Sequence, residues 1–187
     1  MSDEYTTEHG NIIGSTKDSM NISANWERIQ SLIEGVITKQ VANVLKDNGM
    51  LTEIFRQDWF TTPMNVDQIF QVKLNPGEIS GWHSHQHTID RLFVSHGSLK
   101  TVLYDARTTS PTYGMVNEFR TGTSAPTLII VPAGVWHAIQ NICTEPSIVI
   151  NFTDKAYAYH DPDHWRLPIE TEKIPYSFNS KGSIRKI

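Results

Sequence analysis

The chain has 187 residues, 39% of them apolar and 19% charged, enough for one ordinary globular core with an extension. A net charge of −4 leaves no basic stripe to displace counterions, which excludes wide nucleic-acid contact but admits a nucleotide ligand, for which a few local cations suffice. No apolar run reaches membrane-spanning length, MSDEYTTEHG carries no secretory leader pattern, and the single cysteine, Cys143, cannot close an internal disulfide; the expectation is a cytoplasmic protein.

Residues 1–30 read as a polar N-terminal extension whose first 24 residues, with only Ile12, Ile13 and Met20 among polar neighbours, bury too little surface to fold alone. Within it begins one predicted short helix over 25–34, where Trp26, Ile29, Leu32 and Ile33 recur at helical spacing. From residue 31 to 178 the pattern becomes β-branched and aromatic runs: VITKQVANVL, MLTEIFR, DQIFQVKL, RLFVSHG, SLKTVLYDA, TLIIVPAG and PSIVINFT. Their joints, Asp47-Asn48-Gly49, Asn75-Pro76-Gly77, Gly97-Ser98 and Pro132-Ala133-Gly134 among them, are turn chemistry. Short strands without intervening helices predict an all-β sandwich or barrel, followed by a basic tail over 179–187.

The chemistry concentrates in GWHSHQHTIDRLFVSHG, residues 81–97, and in PAGVWHAIQN, residues 132–141. His83 and His85, two apart, share one face of a strand. Asp90 follows shortly after and His137 comes from a distant strand, so that these groups converge inside a small barrel. His87 is expected outward or in the turn, and His96, His160 and His164 are expected in solvent. Asp90 could also serve simply as an acceptor for backbone N–H groups.

These two segments resemble the signature motifs of the cupin superfamily: His-x-His, four residues, an acid, six residues and Gly, then Pro-x-Gly-x-x-His-x-x-x-Asn. The resemblance implies a cupin-type antiparallel β-barrel, or jelly roll. A closer one extends over residues 32–178, through KDNGMLTEIFR, SPTYGMVNEF and AYHDPDHWRLPIETEKIPYSF. These segments resemble the nucleotide-sugar 3,5-epimerase family typified by dTDP-4-dehydrorhamnose 3,5-epimerase, in a divergent branch carrying Trp-His-x-His.

That resemblance implies proton shuttling beside a C4 ketone, in which a base removes the acidic hydrogen at C3 or C5 and an acid returns one to the opposite face. It places His83 as base, Tyr157 as the opposing acid (Tyr159 if the register differs), and His137 and Asp90 in the catalytic group. Glu53, Arg56, Gln71, Lys73, Trp82, His85 and Asn151 become substrate contacts, with Arg56 and Lys73 meeting the diphosphate. It implies a nucleotide-diphosphate sugar as ligand, no metal or redox cofactor, and a homodimer. The family pattern is broken where Asn48 replaces an arginine, where Asp90 replaces a lysine, and at Gly182 and Ser183, where a supporting aspartate would be sought. Two other readings stand beside it: a metal-dependent cupin holding Zn, Mn, Fe or Ni on His83, His85, Asp90 and His137, and a non-catalytic sugar-binding cupin.

Overall fold

The computed structural model describes residues 15, 17, 20–26, 29–62 and 64–178; the rest of the polar extension and the basic tail from residue 179 lie outside the described residues. Leu32–Phe178 form one compact unit, and the described residues up to Ser31 belong to another. No helix among the described residues is long and apolar enough to cross a membrane.

The unit is built of twelve strands: β1 Ile37–Gln40, β2 Asn43–Lys46, β3 Gly49–Thr52, β4 Gln68–Leu74, β5 Ile79–Ser84, β6 Asp90–His96, β7 Ser98–Asp105, β8 Val116–Gly122, β9 Thr127–Val131, β10 Val135–Asn141, β11 Ser147–Thr153 and β12 Trp165–Arg166. Two five-stranded antiparallel sheets, ordered β1-β9-β6-β11-β4 and β12-β5-β10-β7-β8, make the jelly roll, and β2-β3 form a separate hairpin. Alternation along the strands creates the core. Leu92 and Val94 of β6, Ile129 and Val131 of β9 and Val149 of β11 meet Leu99 and Leu103 of β7 and Val135 and Ile139 of β10. Each such side chain, taken fully from water, contributes about 1.5–3 kcal/mol before entropy is charged against it. The outer face of the second sheet is covered by the chain's last described stretch, with Ile174 and Phe178 on Trp82, Val102 and Ala138.

Two sequence expectations are corrected. The described residues of 25–34 are not helical. Trp26 has φ of 60°, outside the right-handed helical region, and the Ser23 hydroxyl accepts from the Asn25 N–H, a local competitor to helix. Further on, the Ile33 and Glu34 N–H groups donate to the side chains of Asn117 and Thr112 rather than to carbonyls one turn back. Likewise VITKQVANVL is two strands, because β1 pairs with β9 only to Gln40 and the chain then leaves for the β2-β3 hairpin.

Candidate active site

A cavity of about 440 Å³ opens between the two sheets. From the first sheet it is lined by Gln68, Phe70 and Val72 of β4 and Val149, Asn151 and Thr153 of β11, the inward-facing alternates of each strand. From the second it receives Ser80, His83, His137, Ile139 and Arg166, and loops add His85, Asp163, His164, Lys155 and Tyr157.

The β5 strand does not alternate simply. Ile139 pairs with Ser80 and His137 with His83, so three steps on β5 match two on β10, a bulge at Gly81-Trp82. The extra residue turns Ser80 and His83 both inward and sends Trp82 out to the Ile174–Phe178 layer. Gly81 sits at φ of 149° against β10, where a Cβ would come within 2.3 Å of the Ala138 Cβ. Only glycine fits there. Beyond β5, the Asp163 carboxylate accepts from the Gln86 N–H (2.7 Å), the His87 N–H (2.8 Å) and the Thr88 hydroxyl (3.2 Å). Burial works to raise the Asp163 carboxyl, but these donors and the nearby His85 outweigh it and hold it below its ordinary value.

Four imidazoles cluster here. His83 lies 6.0 Å from His137 and 4.7 Å from His164, ring centre to ring centre, and His85 is 5.7 Å from His137 and 5.0 Å from His164. His83 Nδ1 is 2.8 Å from His164 Nε2, and His83 Nε2 is 3.2 Å from the Ser80 hydroxyl. Burial, then the neighbouring His137, His164, Arg166 and His85, push His83 down to about 3. His137 and His164 are lowered too, each chiefly by burial. His83, His137 and His164 are therefore neutral at pH 7, and only one tautomer of His83 is a base toward the cavity: Nδ1–H donating to His164 leaves the lone pair on Nε2, beside the Ser80 hydroxyl. Asp90 is buried beneath them. Its Oδ1 accepts from Asn151 Nδ2 at 2.6 Å, and its Oδ2 lies 3.4 Å from His85 Nε2 and 3.8 Å from His137 Nε2.

Residues 30–182 match the family model of dTDP-4-dehydrorhamnose 3,5-epimerase. The chain belongs to this family of isomerases. The probable low-salt glycan biosynthesis epimerase Agl13 of Haloferax volcanii is 34% identical over 134 residues, 71% of this chain and 86% of that protein. The spore coat polysaccharide biosynthesis protein SpsL of Bacillus subtilis is 31% identical over 150 residues, 80% of this chain and 99% of that one. In fold, the crystal structure of a dTDP sugar isomerase from Desulfovibrio desulfuricans G20 is similar with a TM-score of 0.74 at 23% identity, covering 80% of this chain and 94% of that chain.

Of the residues that the epimerase resemblance singled out, His83, His85, Asp90, His137, Asn151 and Tyr157 all line the cavity. Tyr159 does not; it is 82% exposed beside Tyr157. Five named substrate contacts lie elsewhere in this chain. Trp82 is fully buried in the outer layer, since neighbours on a strand face opposite ways. Gln71 and Lys73 alternate with the inward Phe70 and Val72 and so face outward. Glu53 and Arg56 form an exposed ion pair at 3.3 Å, with Arg56 also 2.6 Å from Asp58. The expectation that His164 is solvated is overturned: it is half-buried against His83. His164, Asp163, Arg166 and Lys155 were missed as site residues. The signal was the DPDHWR run, whose charged and imidazole groups read as loop until β12 pairs with β5.

Proposed function

We propose that this chain epimerises a nucleotide-diphosphate sugar bearing a C4 ketone, inverting C3, C5 or both through an enolate, in deoxysugar or surface-polysaccharide biosynthesis. The observation that carries this reading is His83: neutral, directed into the cavity, and held at Nδ1 by His164. Its Nε2 takes the proton alpha to the ketone; the enolate's negative charge beside it then raises its basicity as the imidazolium forms. Tyr157 follows β11, on the sheet opposite His83, and returns a proton to the other face of the ring. Asn151 holds Asp90 and thereby the floor of the site rather than the sugar. Lys155 and Arg166 are the cations lining the cavity, and they replace Lys73 and Arg56 as partners for the diphosphate.

The catalytic domain spans 31–178 and works as a homodimer. Support for the dimer comes from the β2-β3 hairpin, which leaves Val44, Leu45, Met50 and Leu51 exposed and in need of cover. A cytoplasmic setting fits the unpaired, half-buried Cys143. The test is incubation with dTDP-linked 4-keto-6-deoxy sugars in D₂O, with C3 and C5 followed by NMR. His83→Asn stops deuterium entry at both carbons while sugar-nucleotide binding persists, and Tyr157→Phe allows exchange without net inversion. An active His83→Asn protein rejects the base assignment; wild-type binding without exchange favours a non-catalytic sugar-binding protein.

A further inference from the structure

We propose that Ser80 is a further catalytic residue of the epimerisation: its hydroxyl donates a hydrogen bond to the C4 oxygen of the sugar as the enolate forms. The inference rests on the reading of His83 as base and supplies the group that this reading leaves open. A proton leaves the carbon beside a ketone only if the charge arriving on the ketone oxygen is held. Asp90 has no hydrogen to give, since its Oδ1 accepts from Asn151 and its Oδ2 faces His85 Nε2 and His137 Nε2 at 3.4 and 3.8 Å. His137 is neutral with Nδ1 toward the Val135 carbonyl at 3.4 Å, so its Nε2 carries no hydrogen either. His85 lies between the Asp163 carbonyl at Nδ1 and Asp90 at Nε2, and His164 Nε2 accepts from His83. Lys155 and Arg166 are the partners proposed for the diphosphate.

Ser80 stands apart from these. Three residues from His83, it would face the other way on a regular strand, but the bulge at Gly81-Trp82 turns both into the cavity. Its Oγ lies 3.2 Å from His83 Nε2. Because His83 Nδ1–H donates to His164, Nε2 holds a lone pair, and in the resting site the Ser80 O–H donates to it. The spacing suits a keto sugar. A carbon beside a ketone stands about 2.4 Å from the ketone oxygen, given bonds of about 1.52 and 1.23 Å. A sugar with that carbon over Nε2 can therefore place its C4 oxygen within the reach of about 2.6–3.2 Å from Ser80 Oγ.

The hydroxyl changes partner as the proton moves. On binding, the ketone oxygen takes the Ser80 hydrogen bond from Nε2, one neutral acceptor for another, and the lone pair is released. The C–H bond then breaks and Nε2 takes the proton. The bonding pair becomes the carbon–carbon double bond of the enolate, and the ketone π pair moves onto the C4 oxygen. The new Nε2–H donates to Ser80 Oγ, while the Ser80 O–H donates to the enolate oxygen. Both bonds strengthen as charge develops, so they lower the barrier more than they tighten binding. Protonation of the opposite face by Tyr157 restores the ketone. After product release His83 returns its proton to water and Tyr157 regains one.

The test is deuterium entry at C3 and C5 of a dTDP-linked 4-keto-6-deoxy sugar in D₂O, measured over a range of sugar concentrations. Ser80→Ala deletes the hydroxyl bonded to His83 and leaves the backbone pairing with Ile139 in place; circular dichroism and calorimetric binding of dTDP verify its fold. Exchange is expected to fall by about 10²–10³-fold in kcat, the loss that follows removal of one oxyanion donor, with KM within about threefold of wild type. Ser80→Cys, of nearly the same shape but with a weak S–H donor, is expected between the two. A merely structural role predicts the opposite sign: if Ser80 only occupies Nε2 in the resting site, removing it frees the base and kcat stays level or rises. A level or raised kcat in folded Ser80→Ala overturns the proposal and, with wild-type exchange intact, leaves the epimerase reading standing. Absence of exchange in the wild type overturns both.

Discussion

Replacing His164 by alanine leaves His83 Nδ1 without the acceptor now 2.8 Å away. Two things follow: the tautomer with Nε2 free loses its fixing partner, and the imidazolium that forms in the transition state loses a hydrogen bond. A bond to a group that becomes charged contributes about 1.5–3 kcal/mol, which corresponds to a fall of about 10- to 150-fold in kcat/KM. Because the interaction strengthens only as charge develops, the loss appears in kcat, with KM little altered. His164→Gln is expected to restore activity to within about 10-fold of wild type, since its amide oxygen can accept the same hydrogen. The assay is the rate of solvent deuterium entry at C3 and C5, paired with urea unfolding to verify that stability is unchanged. If folded His164→Ala exchanges within about twofold of wild type, a difference too small for a lost transition-state contact, the positioning role is wrong.

Gly81→Ala puts a Cβ 2.3 Å from the Ala138 Cβ at a φ that side chains rarely adopt, so it is expected to cost at least about 2 kcal/mol in urea unfolding and to reduce exchange by turning His83. Asp105 is fully buried and accepts from Arg107, Ser110 and Thr112; burial raises its carboxyl, but these donors outweigh it and hold it well below the ordinary value. Since the folded value lies below the unfolded one of about 3.9, its stabilisation is complete above that pH and fades as pH falls toward the folded value. Asp105→Asn should therefore cost about 3 kcal/mol at pH 7 by leaving Arg107 without its charge partner, with a smaller difference from wild type at pH 3.

The parts of the fold carried by local pattern were legible. Strands such as PSIVINFT alternate cleanly, and β11 buries Ser147, Val149, Asn151 and Thr153 as that alternation requires. His83, Asp90 and His137 were legible as a group because the two motifs place them on β5, β6 and β10, whereas His85, expected on the same strand as His83, lies in the loop just past β5 and reaches the cavity from there. What local pattern could not carry was decided across the chain. The helical spacing of Trp26, Ile29, Leu32 and Ile33 gave way to backbone bonds with Asn117 and Thr112, more than 70 residues distant. Whether Lys73 or Phe70 faces the cavity depends on which sheet β4 joins, and no local spacing encodes that. His164 looked polar and loop-bound because β12 is only two residues long.

That short strand deserves its weight in the chemistry. In β12, Trp165 pairs with Ser84 and Arg166 with His83, so β12 is an edge strand laid directly along the strand that carries the proposed base. Alternation then places His164 and Arg166 on the cavity side and leaves Trp165 54% exposed outside. One residue earlier, the Asp163 carboxylate fastens the loop carrying His87 while its backbone carbonyl meets His85 Nδ1. A slip of one residue in this pairing would send Trp165 inward and remove the orienting imidazole and the cation together. The register of β12 is held by more than its own ladder: the Trp82 and Leu167 backbones exchange two further hydrogen bonds, at 3.3 and 3.1 Å. The bulge at Gly81 and the DPDHWR segment are therefore one device. The first turns His83 into the cavity, and the second gives it a partner there.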